Sequence, residues 1–262
     1  MMPTGYNPEH FKALVEIEDR HFWFRARNRV LSAVVGDLAS ALPRPYRVLE
    51  VGCGNGNTLR MLEAACSGSA LVGMDLFAEG LHYARQRSSA LLVRGRLEMV
   101  PFKVRFHLVG MFDVLEHMED DGAALANVYK LLETRGVLIV TVPAHQRLWS
   151  RFDEESHHYR RYELAELDAR LKAAGFAVEY LTLFMAPLYP LARIGRKVSD
   201  MISNAKRYLG WPVATALANE IRIRPGINEL LTRTLSAEAG LIVRRRRLPF
   251  GTSVLAVARR VP

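Results

Sequence analysis

Glu50, Gly52, Gly54, Gly56 and Asp75 are the residues whose types and spacing point first to chemistry. The stretch Val48-Leu49-Glu50-Val51-Gly52-Cys53-Gly54-Asn55-Gly56-Asn57 sets a glycine loop between an apolar run and a helical one. Glycines there let the backbone bend tightly and approach a ligand with no Cβ in the way. Asp75 lies 25 residues after Glu50, at the end of the next apolar run, where a carboxylate can accept both hydroxyls of a ribose. A pyrophosphate-binding loop would read G-x-G-x-x-G and aim a helix N-terminus at the phosphates. Counting from Gly52, the sixth position is Asn57, so that pattern fails. Glu50, entering the loop, would repel an anion and attract an ammonium or sulfonium group. The cofactor these residues suit is S-adenosylmethionine.

Further along, His117 and His145 each follow an apolar run, and each is a candidate base for a hydroxyl acceptor. A positioned base contributes about 10² to 10⁴ in rate. The alternative for each is a histidine that caps a helix or bonds a carbonyl. Asp113, Glu116 and His117 form an acid-x-x-acid-His set whose oxygens would suit magnesium. A solvated helix start explains the same residues, and displacement at a sulfonium needs no metal, so none is expected. His157, Arg161 and Tyr162 fall in a polar stretch where they would orient an anionic or hydroxylated acceptor. The alternative there is a solvated turn leading into a helix.

Elements must hold these groups in place. Residues 7–40 read as helix, with Phe11, Leu14, Val15, Ile17, Val30, Leu31, Val34, Val35 and Leu38 at helical spacing. Short apolar strands are expected at 48–51, 70–74, 91–93, 106–111, 137–142 and 176–184. Helices at 58–65, 78–87, 123–132 and 164–174 alternate with them. That alternation predicts a parallel sheet with helices on both faces. Residues 185–240 hold proline-broken apolar and basic helices, and two last strands are expected at 241–246 and 252–258.

Residues 47–184 resemble a class I S-adenosylmethionine-dependent methyltransferase. Glu50-Val51-Gly52-Cys53-Gly54-Asn55-Gly56 matches the first motif of that family and Gly73-Met74-Asp75 the second. The resemblance implies that Glu50, Gly52 and Gly54 hold the methionine part of the cofactor and Asp75 the ribose. In the third motif, Gly95-Arg96-Leu97-Glu98-Met99-Val100-Pro101-Phe102, Arg96 replaces the usual acid. Adenine recognition then falls to backbone groups near Leu97 or to Glu98, with Phe112 counted among the cofactor contacts. His107 similarly replaces an Asp at the start of the fourth strand. A closer likeness to a bacterial small-molecule subgroup is carried by the stretches 21–28, 112–117, 141–145 and 157–162, the first of which would help roof the cofactor. The Asn/Asp-Pro-Pro-aromatic motif of nucleic-acid amino methylation is missing, with Phe112-Asp113-Val114-Leu115 in its place.

The 262 residues are half apolar, enough to bury a full core. Two cysteines exclude a disulfide scaffold and fit a cytoplasmic protein. The net charge of +9 is uneven: residues 193–262 hold 14 Lys and Arg against 4 acids, and residues 1–192 hold 22 against 23. The fold expected is a Rossmann-like, doubly wound α/β sheet of seven mostly parallel strands. Its parts are an N-terminal helical cap (1–45), the cofactor-binding core (46–184), a helical lid (185–240) and C-terminal strands (241–262). The reaction expected is methyl transfer to a small or lipid-like acceptor, at oxygen. The basic tail would contact anionic lipid at the inner membrane surface. An RNA methyltransferase using that tail, and a non-catalytic cofactor-binding or membrane-surface module, are the alternatives.

Overall fold

A computed structural model describes residues 9–100, 102–194 and 223–261. Residues 1–8 of the expected cap, Pro101 of the third motif and 195–222 of the expected lid lie outside the described residues. Seven strands form one sheet: β1 (Arg47–Val51), β2 (Ala70–Asp75), β3 (Leu91–Arg94), β4 (Phe106–Phe112), β5 (Leu132–Pro143), β6 (Phe176–Phe184) and β7 (Ser253–Arg260). Their spatial order is β3-β2-β1-β4-β5-β7-β6. The pairings from β3 through β5 are parallel, and β7 runs antiparallel between β5 and β6. The mostly parallel doubly wound sheet is therefore as the strand–helix alternation predicts.

The described helices are α1 (Glu9–Ile17), α2 (Phe22–Ser40), α3 (Asn57–Ala65), α4 (Ala78–Arg87), α5 (Asp121–Leu131), α6 (Arg151–Glu155), α7 (Leu164–Ala173), α8 (Pro225–Ser236) and α9 (Glu238–Val243). Successive strand residues face opposite sides, and the core divides accordingly. Val48, Leu108, Ile139 and Val257 pack with Val30, Leu31 and Val34 of α2, Leu59 of α3, and Leu235 and Ile242 of α8 and α9. Leu49, Val109, Val140 and Ala256 pack on the other face with Leu125 and Val128 of α5 and Leu167 of α7. This alternation sends Glu50, two residues after Val48, toward the α2 side.

Two expectations are corrected. The helix over 7–40 is two helices, because the segment between them is used for side-chain pairing: Glu18 meets Arg87 at 2.7 Å and Asp19 meets Arg60 at 2.7 Å. The run 241–246 is not a strand. Glu238, Ala239 and Ile242 bury one helical face of α9, and Arg245 follows with a left-handed φ of 58°. The expected boundary at 240 thus falls inside α9. Among the described residues, no helix is long and apolar enough to cross a membrane.

Candidate active site

The loop after β1 folds back against β2: the Gly52 and Cys53 amides both donate to the Met74 carbonyl, at 2.8 and 3.1 Å. Gly56 has φ 79°, and a Cβ there would stand 2.8 Å from the Ala84 Cα. No side chain fits that turn without moving α4. Asp75 fixes the loop from beneath. Its carboxylate accepts the Gly54 amide at 2.7 Å and the Phe77 amide at 2.8 Å. Burial raises its pKa, and these two amides oppose the rise.

Glu50 is buried, and its Oε2 has no hydrogen-bond partner among the described residues. Burial pushes its pKa up to about 8, against the pull of the Arg27 charge and the Thr58 hydroxyl. A buried acid with an unused oxygen beside a glycine cradle is the donor set a cationic ligand requires. Arg27 of α2 pins this corner. It pairs with Asp113 at 2.8 Å, reaches the Thr58 hydroxyl at 3.3 Å and lies 4.8 Å from the Trp23 ring centroid. Both residues lie in the stretch 21–28, and their i, i+4 spacing is the sequence signal for this contact.

Leu97 is buried after β3, in the α5-side core. Glu98 is exposed and paired with Arg96 at 3.4 Å. Phe112 ends β4 in the α2-side core, its ring lying where a side chain on Gly110 would be. His107 accepts the Arg47 amide at 3.1 Å at the opposite end of the sheet, away from the loop.

Beyond β4 and β5 the structure gathers a second group. Buried Asp153 accepts from His158 Nδ1 at 2.9 Å and from Arg161 Nε at 2.8 Å. Burial alone would raise its pKa, but His158 and Arg161 bring it down to about 2. His117 meets the His158 ring nearly edge-on at 4.7 Å. Burial, reinforced by the charge of His158, lowers its pKa to about 3. Glu116, His117 and His158 each offer a ligand atom within 4.8 Å of the others, a donor set able to hold a metal ion. Asp113, grouped with the first two by spacing, turns away to Arg27.

The polar stretch 157–162 is less open than its composition implies. Tyr162 is fully buried and donates to Asp121 at 2.8 Å; burial and that bond raise its pKa. Arg161 is buried too, bonded to Asp153 and, at 3.2 Å, to the Ala144 carbonyl. Both are engaged within the protein rather than presented on an open surface, because the bridge between Ala144 and Tyr162 draws this segment against β5. His157 is exposed, in a turn with φ 54°.

His145 follows β5 directly. Its Nδ1 is 2.8 Å from Glu163 Oε2, and its buried Nε2 has no partner among the described residues. The Tyr189 ring stands 5.4 Å away. Glu163 carried no sequence signal, since 18 residues separate it from His145 and only the 144–162 bridge makes them neighbours.

A family model described as a methyltransferase domain matches residues 22–181. The chain belongs to the S-adenosylmethionine-dependent methyltransferases. A "probable S-adenosylmethionine-dependent methyltransferase" of Mycolicibacterium smegmatis is 26% identical over 62% of each chain. The mitochondrial ubiquinone biosynthesis O-methyltransferase of Candida albicans is 31% identical over 36% of this chain and 31% of its own. The chain therefore spans about two thirds or less of these relatives. Phosphoethanolamine N-methyltransferase 2 of Haemonchus contortus, solved with S-adenosylhomocysteine, shares the fold at a TM-score of 0.55 and 17% identity, covering 88% of this chain and 52% of that one. The cofactor of this methyltransferase is S-adenosylmethionine, and the partnerless Glu50 oxygen and glycine cradle fit its positive charge.

Proposed function

We propose that this methyltransferase acts on a hydroxyl of a small or lipid-like acceptor, with Glu50, Gly52, Gly54 and Asp75 holding the cofactor and His145 serving as the base. The observation that carries the reading is the buried Nε2 of His145, which has no partner among the described residues. In such sheets ligands lie beyond the carboxyl ends of the strands, and β5 is two strands from β1, about 10 Å away at ordinary strand spacing. That is a suitable span between a cofactor on the loop and an acceptor at His145.

S-adenosylmethionine, when bound, supplies an electrophilic methyl group whose carbon–sulfur bond breaks with the electron pair remaining on sulfur. The chain's own part is to hold the acceptor in line and take its proton. Positioning alone can supply about 7 to 11 kcal/mol of the barrier. The other candidate histidine, His117, has its pKa lowered to about 3 by burial and the His158 charge, which leaves it little drive to take a proton. The likeness to an O-methyltransferase supports transfer at oxygen.

The test is transfer of labelled methyl from S-adenosylmethionine across phenols, carboxylates, sugars and lipid extracts. A hydroxyl compound is expected to be labelled. His145→Ala is expected to lower its rate by about 10² to 10⁴ with cofactor affinity unchanged. Labelling confined to amines, or full activity in His145→Ala, would overturn the reading.

A further inference from the structure

We propose that Glu163 is the positioning residue for His145, fixing the imidazole in the Nδ1–H form so that Nε2 presents a lone pair to the acceptor hydroxyl. The inference rests on the reading of His145 as the base. An ionised carboxylate only accepts hydrogen bonds. With Glu163 Oε2 at 2.8 Å from Nδ1, the proton of a neutral His145 ring lies on Nδ1, and Nε2 is the basic atom.

Two further observations point the same way. The His145 backbone sits at φ 63°, a region that residues other than glycine rarely adopt and that persists only where surroundings impose it. Here it is imposed by the His145 amide, which donates to the Tyr162 carbonyl at 3.0 Å, and by the bridge between Ala144 and Tyr162. The same bridge carries Glu163 to the imidazole, so the strain and the pairing have one origin. The ring is also screened from solvent: Tyr189 stands against it, and Phe250 lies 6.4 Å beyond Tyr189. Nε2 is buried and has no protein partner among the described residues, which leaves its lone pair for a substrate proton. As the acceptor oxygen bonds the methyl carbon and the carbon–sulfur pair stays on sulfur, its proton goes to Nε2. The positive charge formed on the ring is then met by the Glu163 carboxylate.

Glu163 is half-exposed, so its replacement leaves the fold intact. The experiment is a long-range proton–nitrogen spectrum of the full chain labelled with nitrogen-15 histidine. It is recorded about two units above the ordinary imidazole pKa of about 6.5, and the His145 signals are identified by their loss in His145→Gln. In the wild type, His145 is expected as the Nδ1–H tautomer. Glu163→Ala should revert it to the Nε2–H form favoured by free imidazole, and Glu163→Gln, which keeps a carbonyl acceptor, should restore the Nδ1–H form at least in part. An Nε2–H ring in the wild type, or a tautomer unmoved by Glu163→Ala, overturns the proposal. This readout needs no turnover, so its failure is distinct from a failure to find a hydroxyl acceptor.

Discussion

Glu50 is a buried carboxyl group with one oxygen unbonded among the described residues, a costly arrangement unless a ligand completes it. Its pKa of about 8 in the folded chain against an ordinary 4.5 means the folded state holds a proton that the unfolded state releases. Its contribution to stability is therefore full below about pH 4.5 and is lost as pH rises toward 8. A bound cation reverses the preference by favouring the ionised form. Binding of S-adenosylmethionine at pH 7 should then release up to about one more proton from the wild type than from Glu50→Gln. Calorimetry in buffers of differing ionisation enthalpy measures that count, and equal counts would contradict it.

At the scale of elements, α2 is held to the sheet by more than apolar packing. Arg27 joins it to Asp113 after β4 and to Thr58 at the start of α3. Breaking a buried pair by removing one partner costs about 3–5 kcal/mol. Because Asp113 keeps some contact with solvent, Arg27→Met should destabilise by about 3 kcal/mol in urea unfolding; a loss under 1 kcal/mol would show the pin to be dispensable. The strands were legible in the sequence because a parallel sheet buried on both faces needs continuous apolar runs. The run 241–246 was not, because the fold of α9 is decided by a distant contact: buried Glu238 accepts the Met185 and Ala186 amides at 2.7 and 2.8 Å. The glycine loop and the acids proposed to hold the cofactor were legible because local glycine geometry and sequence spacing define them. Glu163 was invisible for the opposite reason, its role depending on an isolated bridge. The burial of Arg161 and Tyr162 was not legible in composition, because it depends on their distant partners Asp153 and Asp121.

Across the whole molecule, the proposed cofactor residues lie on β1, the loop after it and β2, and the proposed acceptor chemistry lies beyond β5, with the Arg27 contact to Asp113 between them. Four of the basic residues of 193–262 follow α9 directly. Arg244, Arg245, Arg246 and Arg247 are exposed at a turn, rather than alternating along a strand, and Arg245 meets Asp37 of α2 at 3.3 Å. The central claim is that Asp75 and the glycine loop after β1 form the S-adenosylmethionine site. Titration calorimetry of the full chain with S-adenosylmethionine tests it most directly. The wild type should bind, and Asp75→Ala, losing acceptors for the ribose hydroxyls, should bind at least about 10-fold more weakly while retaining its circular dichroism spectrum. No binding by the wild type, or undiminished binding by a folded Asp75→Ala, would contradict the account.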